Sequence, residues 1–299
     1  MINRHFFLLL ATSVFHFHSA NAGAADMDRP LFAPRIVDDA AYLPDNAAGG
    51  ISNVSGFAEG SFSYGRESFR DENADIRNWS LRGSVNVDLN NGFNTQFDGG
   101  YHRGDVKDTS QANTLNGALH AYYRVPDAYA VGAFAGAARL GSSLFNFAER
   151  YYGLDKYATD LIGGVEGAVY SSDATLYSRI GYGRASYSGL DMDHFTTALG
   201  ARVYADDNTR YDFEGTFNRL TAYGASADLY SLSAIANYRI TDTPVTAFAG
   251  YRYDRRTVDS QSPLEGHSVL TGLRVHFGSG TLKDEERRGP AWNSPMSSF

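Results

Sequence analysis

Cysteine is absent from this 299-residue chain. That removes disulfide scaffolds, thiolate zinc sites, iron–sulfur clusters and cysteine nucleophiles together. A basic excess is also missing. The formal net charge is −8, whereas a nucleic-acid binder should carry a basic stripe, so no nucleic-acid partner is expected. Beyond its first residues the chain holds no apolar run of 18 residues, and its mean hydropathy is −0.34. A helical membrane protein is thereby excluded. Charge is scarce too, 20% of residues against roughly 25% in soluble domains. What the chain has in quantity is aromatic residues (20 Tyr and 19 Phe) and glycine (31). A hydrophobic share of 43% places it among globular or membrane-embedded chains rather than disordered ones. Its length fits one large domain or two ordinary ones.

The start of the chain reads as an address. Met1 to His5 is short and positive, Phe6 to Phe15 is a ten-residue apolar core, and Ala20-Asn21-Ala22 supplies a small-x-small cleavage pattern. This is a secretory signal peptide, residues 1–22. Residues 23–52 follow as a polar arm, periplasmic or lumenal, which carries Pro30, Pro34 and Pro44 and has no helix or strand period.

From about Val54 to Phe277 the pattern has period two, the mark of amphipathic strands. In one run Trp79, Leu81, Gly83, Val85, Val87 and Leu89 share a face, while Ser80, Arg82, Ser84, Asn86 and Asp88 share the other. Twelve such runs start near Val54, Arg77, Phe93, Thr114, Ala128, Tyr157, Ala174, Phe195, Arg210, Leu229, Val245 and His267. The connections alternate. Short turns at Asn90-Asn91-Gly92, Val125-Pro126-Asp127, Ser171-Ser172-Asp173, Asp206-Asp207-Asn208 and Thr241–Pro244 carry residues suited to tight turns. Longer polar segments lie between them. Short turns on one side and longer loops on the other are the habit of a membrane barrel. The expected fold is therefore all-β: a transmembrane antiparallel up-and-down barrel of about twelve strands over 53–278. Short turns would face the periplasm, longer loops the outside, and a polar periplasmic tail would occupy 279–299.

Three features make lipid, rather than a protein core, the partner of the apolar face. The central stretches of that face carry no charge in any run, and an Arg or Lys there would cost roughly 2–4 kcal/mol at the bilayer midplane. Aromatics mark both ends of it: Tyr64, Trp79, Tyr101, Tyr157, Tyr182, Phe195, Tyr230 and Tyr253 at the outer rim, and Phe93, Tyr123, Tyr211, Tyr238 and Phe277 at the inner. A closed sheet also leaves no unpaired edge, which lipid requires.

With these residues in view, the chain resembles the outer-membrane β-barrel (porin-like) proteins of Gram-negative bacteria, most of all those of alphaproteobacteria. The stretch Gly272-Leu273-Arg274-Val275-His276-Phe277 resembles the assembly signal of last strands, with Gly272, Val275 and Phe277 in its signature positions. The resemblance implies the cell outer membrane, contact with its lipid and lipopolysaccharide, and handling by the barrel-assembly machinery. It departs from the usual pattern because the tail from Gly278 to Phe299 follows the closing aromatic. Architecture alone names no substrate.

The polar face should line the lumen. It carries Glu59, Arg82, Asp98, Asp160, Glu166, Arg179, Arg202, Asp212, Glu214, Arg239, Arg252 and Arg274, six acids and six bases, among many small residues. Two readings stay open. Either the small residues leave a narrow bore, with acids and arginines facing each other across it, or the charges pair and close a structural or surface-interaction barrel. Twelve strands enclose more room than eight, whose interior side chains just fill. The bore implies passive diffusion of small polar solutes or ions, with acidic loops weakly favouring cations. The third outer loop, Gly141 to Lys156, is the longest, and Glu149, Arg150 and Asp155 are its candidates for a constriction. Deleting residues 143–153 should then raise conductance. No enzyme is expected. Asp191-Met192-Asp193-His194 joins two carboxylates to a histidine as in omptin-like proteases, but the second acidic pair from the opposite wall is not identifiable. No cofactor or metal motif is present.

Overall fold

The computed structural model describes residues 53–69, 72–106, 110–259 and 262–295. The segments read as a signal peptide and a polar arm, residues 1–52, lie outside the described residues. Twelve strands follow: β1 (Val54–Phe69), β2 (Glu72–Asp88), β3 (Phe93–Val106), β4 (Ser110–Val125), β5 (Tyr129–Ser142), β6 (Tyr157–Tyr170), β7 (Ala174–Tyr187), β8 (Leu190–Asp206), β9 (Thr209–Ala222), β10 (Ala225–Arg239), β11 (Val245–Val258) and β12 (Leu264–Phe277). Helix α1 (Ser143–Tyr152) interrupts the β5–β6 connection, and α2 (Leu282–Arg288) follows β12. Every strand pairs antiparallel with its sequence neighbours, and β1 pairs β12 from Gly56↔Phe277 to Phe69↔Leu264. The sheet is a closed twelve-stranded barrel, as the alternation requires.

Strand bounds differ from the sequence reading in an informative way. The runs expected to start near Arg77, Thr114, Phe195, Leu229 and His267 begin earlier, at Glu72, Ser110, Leu190, Ala225 and Leu264. The polar stretches between them continue as strands beyond the apolar belt. There the outward face turns polar and the inward face apolar, with Ile76, Ala112, Leu190, Met192 and Ala227 buried, so the alternation of the belt is inverted while backbone hydrogen bonds keep the strands paired. The turns that remain are tight. Ser188-Gly189 (φ 48° and 78°) and Tyr223-Gly224 (51° and 72°) are left-handed pairs, the backbone of a two-residue hairpin whose twist matches its strands. Helix α1 is the exception. Ser142 caps it by accepting from the Leu144 amide, and Gly153 (φ 64°) ends it.

The outward face needs an apolar solvent. Leu199 is 68% exposed, and Leu81, Leu115, Leu161, Val169, Leu176, Leu232 and Val269 stand out beside it. A water-soluble monomer rarely leaves a continuous apolar surface of this kind bare. The outer aromatic rim is knit by Trp79–Tyr101 (ring centroids 5.2 Å apart) and Phe217–Tyr230 (4.8 Å), the inner by Phe93–Tyr123 (5.3 Å). An arginine at Leu199 should therefore lower the unfolding free energy in phospholipid vesicles by about 2–4 kcal/mol. Urea titration of the refolded Leu199→Arg barrel checks this; an unchanged midpoint would remove lipid from that face.

Candidate functional site: the lumen and the tail inside it

All twelve lumen residues expected from the sequence stand on the inward face, but their pairing runs along the wall rather than across the bore. Glu59 meets Arg82 and Arg274, its in-register neighbours on β2 and β12. Nε of Arg82 donates at 2.6 Å and that of Arg274 at 2.7 Å. Asp160 takes His194 at 2.8 Å, Asp212 takes Arg210 at 2.7 Å, and Arg252 pairs with Asp254 at 2.8 Å. Among the described residues, opposed rows of acids and arginines facing each other across the bore do not form.

Longer reaches along the wall span an intervening strand. Glu166 on β6 faces Gly132 on β5 in register, and His120 on β4 reaches over that strand to Glu166 at 2.9 Å while also meeting Asp98 at 3.1 Å. Gly200 lies beneath the Tyr177 ring, where a Cβ would collide with it. The Tyr177 hydroxyl thus crosses β8 to donate to Glu214 at 2.9 Å. In the same way Gly272 sits under the Phe248 ring, so the first residue of the expected assembly signature also has a packing role. Val275 and Phe277 point outward, about half exposed.

The remaining arginines are held by the tail, which is not in the periplasm but inside the barrel. Gly278 (φ 74°) reverses the chain at the end of β12. Thr281 then caps α2 by accepting from the Asp284 amide at 3.0 Å. The helix lies across the turn end: the Lys283 amide donates to the Asp207 carbonyl at 3.1 Å, and Arg287 donates to the Ser171 carbonyl at 2.6 Å. Buried Glu286 accepts from Arg202 at 2.7 Å and from the Tyr204 hydroxyl. Arg124 donates to the carbonyls of Glu286 and Gly289. Glu285 pairs with His276 and Arg274. Burial alone would raise the Glu285 carboxyl, but the hydrogen bond from His276 and the nearby Arg274 guanidinium hold it below the usual range.

After Pro290 the chain runs up the bore. The Gln96 side-chain carbonyl accepts from the amides of Ala291 (3.0 Å) and Trp292 (3.2 Å), while its amide donates to the Trp292 carbonyl at 2.8 Å. The Trp292 ring packs edge-on against Tyr122, 5.7 Å between centroids. Arg179 donates to the Asn293 carbonyl at 2.8 Å and Arg239 to the Ser279 carbonyl at 2.8 Å. Between tail and wall, among the described residues, lie a cavity of about 30 Å3 beside Arg82, Asp98 and His102 and one of about 20 Å3 beside Asp212 and Arg274. Each has room for a water or two, not for a solute.

The loop end closes differently. There the inward face turns apolar, and Leu140, Tyr187, Leu190, Met192, Leu220, Leu229 and Val258 form one buried cluster. Helix α1 inserts Phe145 into it, stacked on Tyr187 at 4.5 Å. Glu149, Arg150 and Asp155, the constriction candidates, are exposed instead. The loop contributes an apolar stopper rather than a charged eyelet because its one buried face is the Phe145 face. Strand alternation also divides the Asp191–His194 group: Met192 and His194 point inward, Asp191 and Asp193 outward. The sequence reading placed Gln96 and His276 on the polar face without singling them out, did not name Tyr122, Arg124, Tyr204 and Arg210 although parity within their strands marks them as lumen residues, and missed Glu285, Glu286 and Trp292 altogether.

No family model matches the chain, and no curated protein matches it. Solved structures do. The chain is similar to the β-domain of the Bordetella autotransporter BrkA. They share 12% identity over 75% of this chain and 100% of that one, with a TM-score of 0.48. It is also similar to the translocator domain of the autotransporter NalP from Neisseria meningitidis (14% identity, 78% and 91%, TM-score 0.44). The toluene transporter TodX of Pseudomonas putida is a third such structure (8%, 79% and 92%, 0.42). These likenesses concern the fold alone.

Proposed function

We propose that this chain is an outer-membrane barrel whose lumen is closed at rest, a structural or surface-interaction barrel rather than an open diffusion pore, and not an enzyme. One observation carries the reading: residues 282–294 occupy the bore and satisfy wall arginines from β4, β7 and β8. The apolar exterior with its two aromatic rims supports placement in a membrane, and the outer membrane is the one in which β-barrels of this type reside. A leader at 1–22 would deliver the chain there. Assembly machinery would read β12 with Phe277 at its end.

The test is electrical. The refolded full-length chain, shown to be a barrel by a heat-modifiable gel shift, should give no steady conductance steps in a planar bilayer. Regular steps from the unmodified chain would overturn the closed reading and restore a pore for small polar solutes. A second reading, a channel gated by its tail, is favoured by the polar character of the tail contacts. Gln96, Arg124, Arg179 and Arg239 hold main-chain atoms of the tail, and water could replace the tail at each of them.

A further inference from the structure

Every odd-numbered strand carries an outward-facing arginine at the loop end: Arg66, Arg103, Arg139, Arg184, Arg219 and Arg255. Five of them lie two residues beyond an aromatic of the outer rim on the same strand, as in Tyr64-Gly65-Arg66 and Tyr182-Gly183-Arg184. Arg139 stacks instead on the Tyr157 ring of β6, 3.6 Å from its centroid, with Lys156 5.8 Å from the same ring. The result is a ring of cations just outside the apolar belt.

In four hairpins the ring is neutralised within the sheet. Arg66 stands opposite Asp75, Arg184 opposite Asp193, Arg219 opposite Asp228 and Arg255 opposite Glu265. Arg219–Asp228 is a two-bond pair at 2.7 and 2.8 Å. The other two hairpins break the rule. Arg103 stands opposite Asn113, and Arg139 opposite Thr159. The acids alongside are Asp105, which faces Arg77 in register, and Glu149 and Asp155 in the β5–β6 connection. Within β3–β6, Arg103, Arg139, Arg150 and Lys156 stand against these three carboxylates, and Asp105 is already matched by Arg77 of β2, so neither Arg103 nor Arg139 has a carboxylate in register among the described residues.

We propose that this sector binds the phosphorylated headgroup of a glycolipid in the outer leaflet, such as lipopolysaccharide, with Arg103, Arg139 and Lys156 on its phosphates and Tyr101 and Tyr157 at the acyl–headgroup boundary. The occupant follows from position and charge. The sector continues directly from the lipid-facing belt, where an acyl chain lies anyway. Guanidinium forks suit phosphate oxygens bidentately. Where the other hairpins supply a carboxylate, this sector supplies an amide and a hydroxyl, leaving the anion to come from outside the protein. The proposal rests on the outer-membrane reading, so its test must separate the two.

Native mass spectrometry of the detergent-solubilised barrel, titrated with lipid A, with its dephosphorylated form and with inorganic phosphate, provides the measurement. The unmodified barrel should retain one lipid A. The R103Q/R139Q/K156Q variant should bind it at least tenfold more weakly. The R66Q/R184Q/R219Q variant, which loses the same three charges where an acid stands opposite, should bind as the unmodified barrel does. Equal retention by the triple variant, or equal retention of the dephosphorylated lipid, would overturn the site. Displacement by millimolar inorganic phosphate would overturn the commitment to a lipid. If the triple variant loses its heat-modifiable shift, Arg139→Gln alone should still weaken binding at least threefold, and no change there would also overturn the site. Insertion of the unmodified barrel into plain phosphatidylcholine vesicles is read separately. Its failure would strike the membrane reading and not the glycolipid site.

Discussion

Removing either stopper alone leaves the barrel nearly silent in a planar bilayer, whereas removing both produces regular conductance steps. The reasoning is that of resistances in series. The tail fills the turn-end half, through Glu286 on Arg202 and Trp292 against Tyr122. The loop end is filled by apolar side chains with Phe145 among them. Ions must pass both, so the narrower remaining obstruction sets the current. Deleting 143–153 takes away Phe145 but leaves the tail, and the conductance gain expected from the loop alone therefore shrinks to almost nothing. Deleting 279–299 hydrates the turn-end half but leaves the apolar cluster, which disfavours water. The double deletion also has a polarity. Without Glu285 and Glu286, the wall cations Arg124, Arg202 and Arg239 face open water, and the bore should prefer anions, the reverse of what acidic loops suggest. Full steps from the 143–153 deletion by itself would show that the tail does not block. Silence of the double deletion would mean that further parts of the wall close the lumen.

The barrel was legible because its constraint is repeated over many positions. Each strand must show lipid an uncharged face, so Leu81, Leu199 and Leu232 mark the period without reference to any neighbour. Parity then placed all twelve charged lumen residues on the correct face. Their partners were not legible, since register decides them: Glu59 meets Arg82 and Arg274 only because β1 closes on β12 in that alignment. The tail hid itself for a different reason. Thr281–Ser294 is polar enough to pass for a solvated segment, and its burial depends on side chains far away in sequence, such as Gln96 and Arg202. A single signal was available in retrospect. The stretch Glu285-Glu286-Arg287-Arg288 ahead of Pro290-Ala291-Trp292 joins carboxylates to a large aromatic, an economical match for a wall carrying Arg124, Arg202 and Tyr122. The strand extensions beyond the belt were hidden because the contrast inverts there: Asp191 and Asp193 face outward while Leu190 and Met192 face inward, so the alternation of the belt breaks off although the strand continues.

Replacing Glu286 with alanine should release the tail while sparing the barrel. Glu286 is almost fully buried and lies 2.7 Å from Arg202, whose side chain is also buried. The pair gains little over an apolar substitute, but deleting one partner strands the other charge, at a cost of about 3–5 kcal/mol. The Ala291 carbonyl still accepts from Arg202, so the lower end of that range applies. The docked state is the one that suffers, because in the released state water solvates Arg202. At about 1.4 kcal/mol per tenfold, the undocked fraction should rise on the order of a hundredfold. Trypsin reads it. Arg287 is buried in the docked tail, and cleavage after it tracks the undocked population when docking is fast relative to cutting. The Glu286→Ala barrel should therefore lose its tail at Arg287 about a hundred times faster than the unmodified chain. Glu286→Gln, which keeps an acceptor for Tyr204 and Arg202 without the charge, should fall between. Both should retain the heat-modifiable shift, since the β1–β12 closure is untouched. Equal cleavage rates for all three chains would mean that the Arg202–Glu286 contact does not hold the tail in the bore.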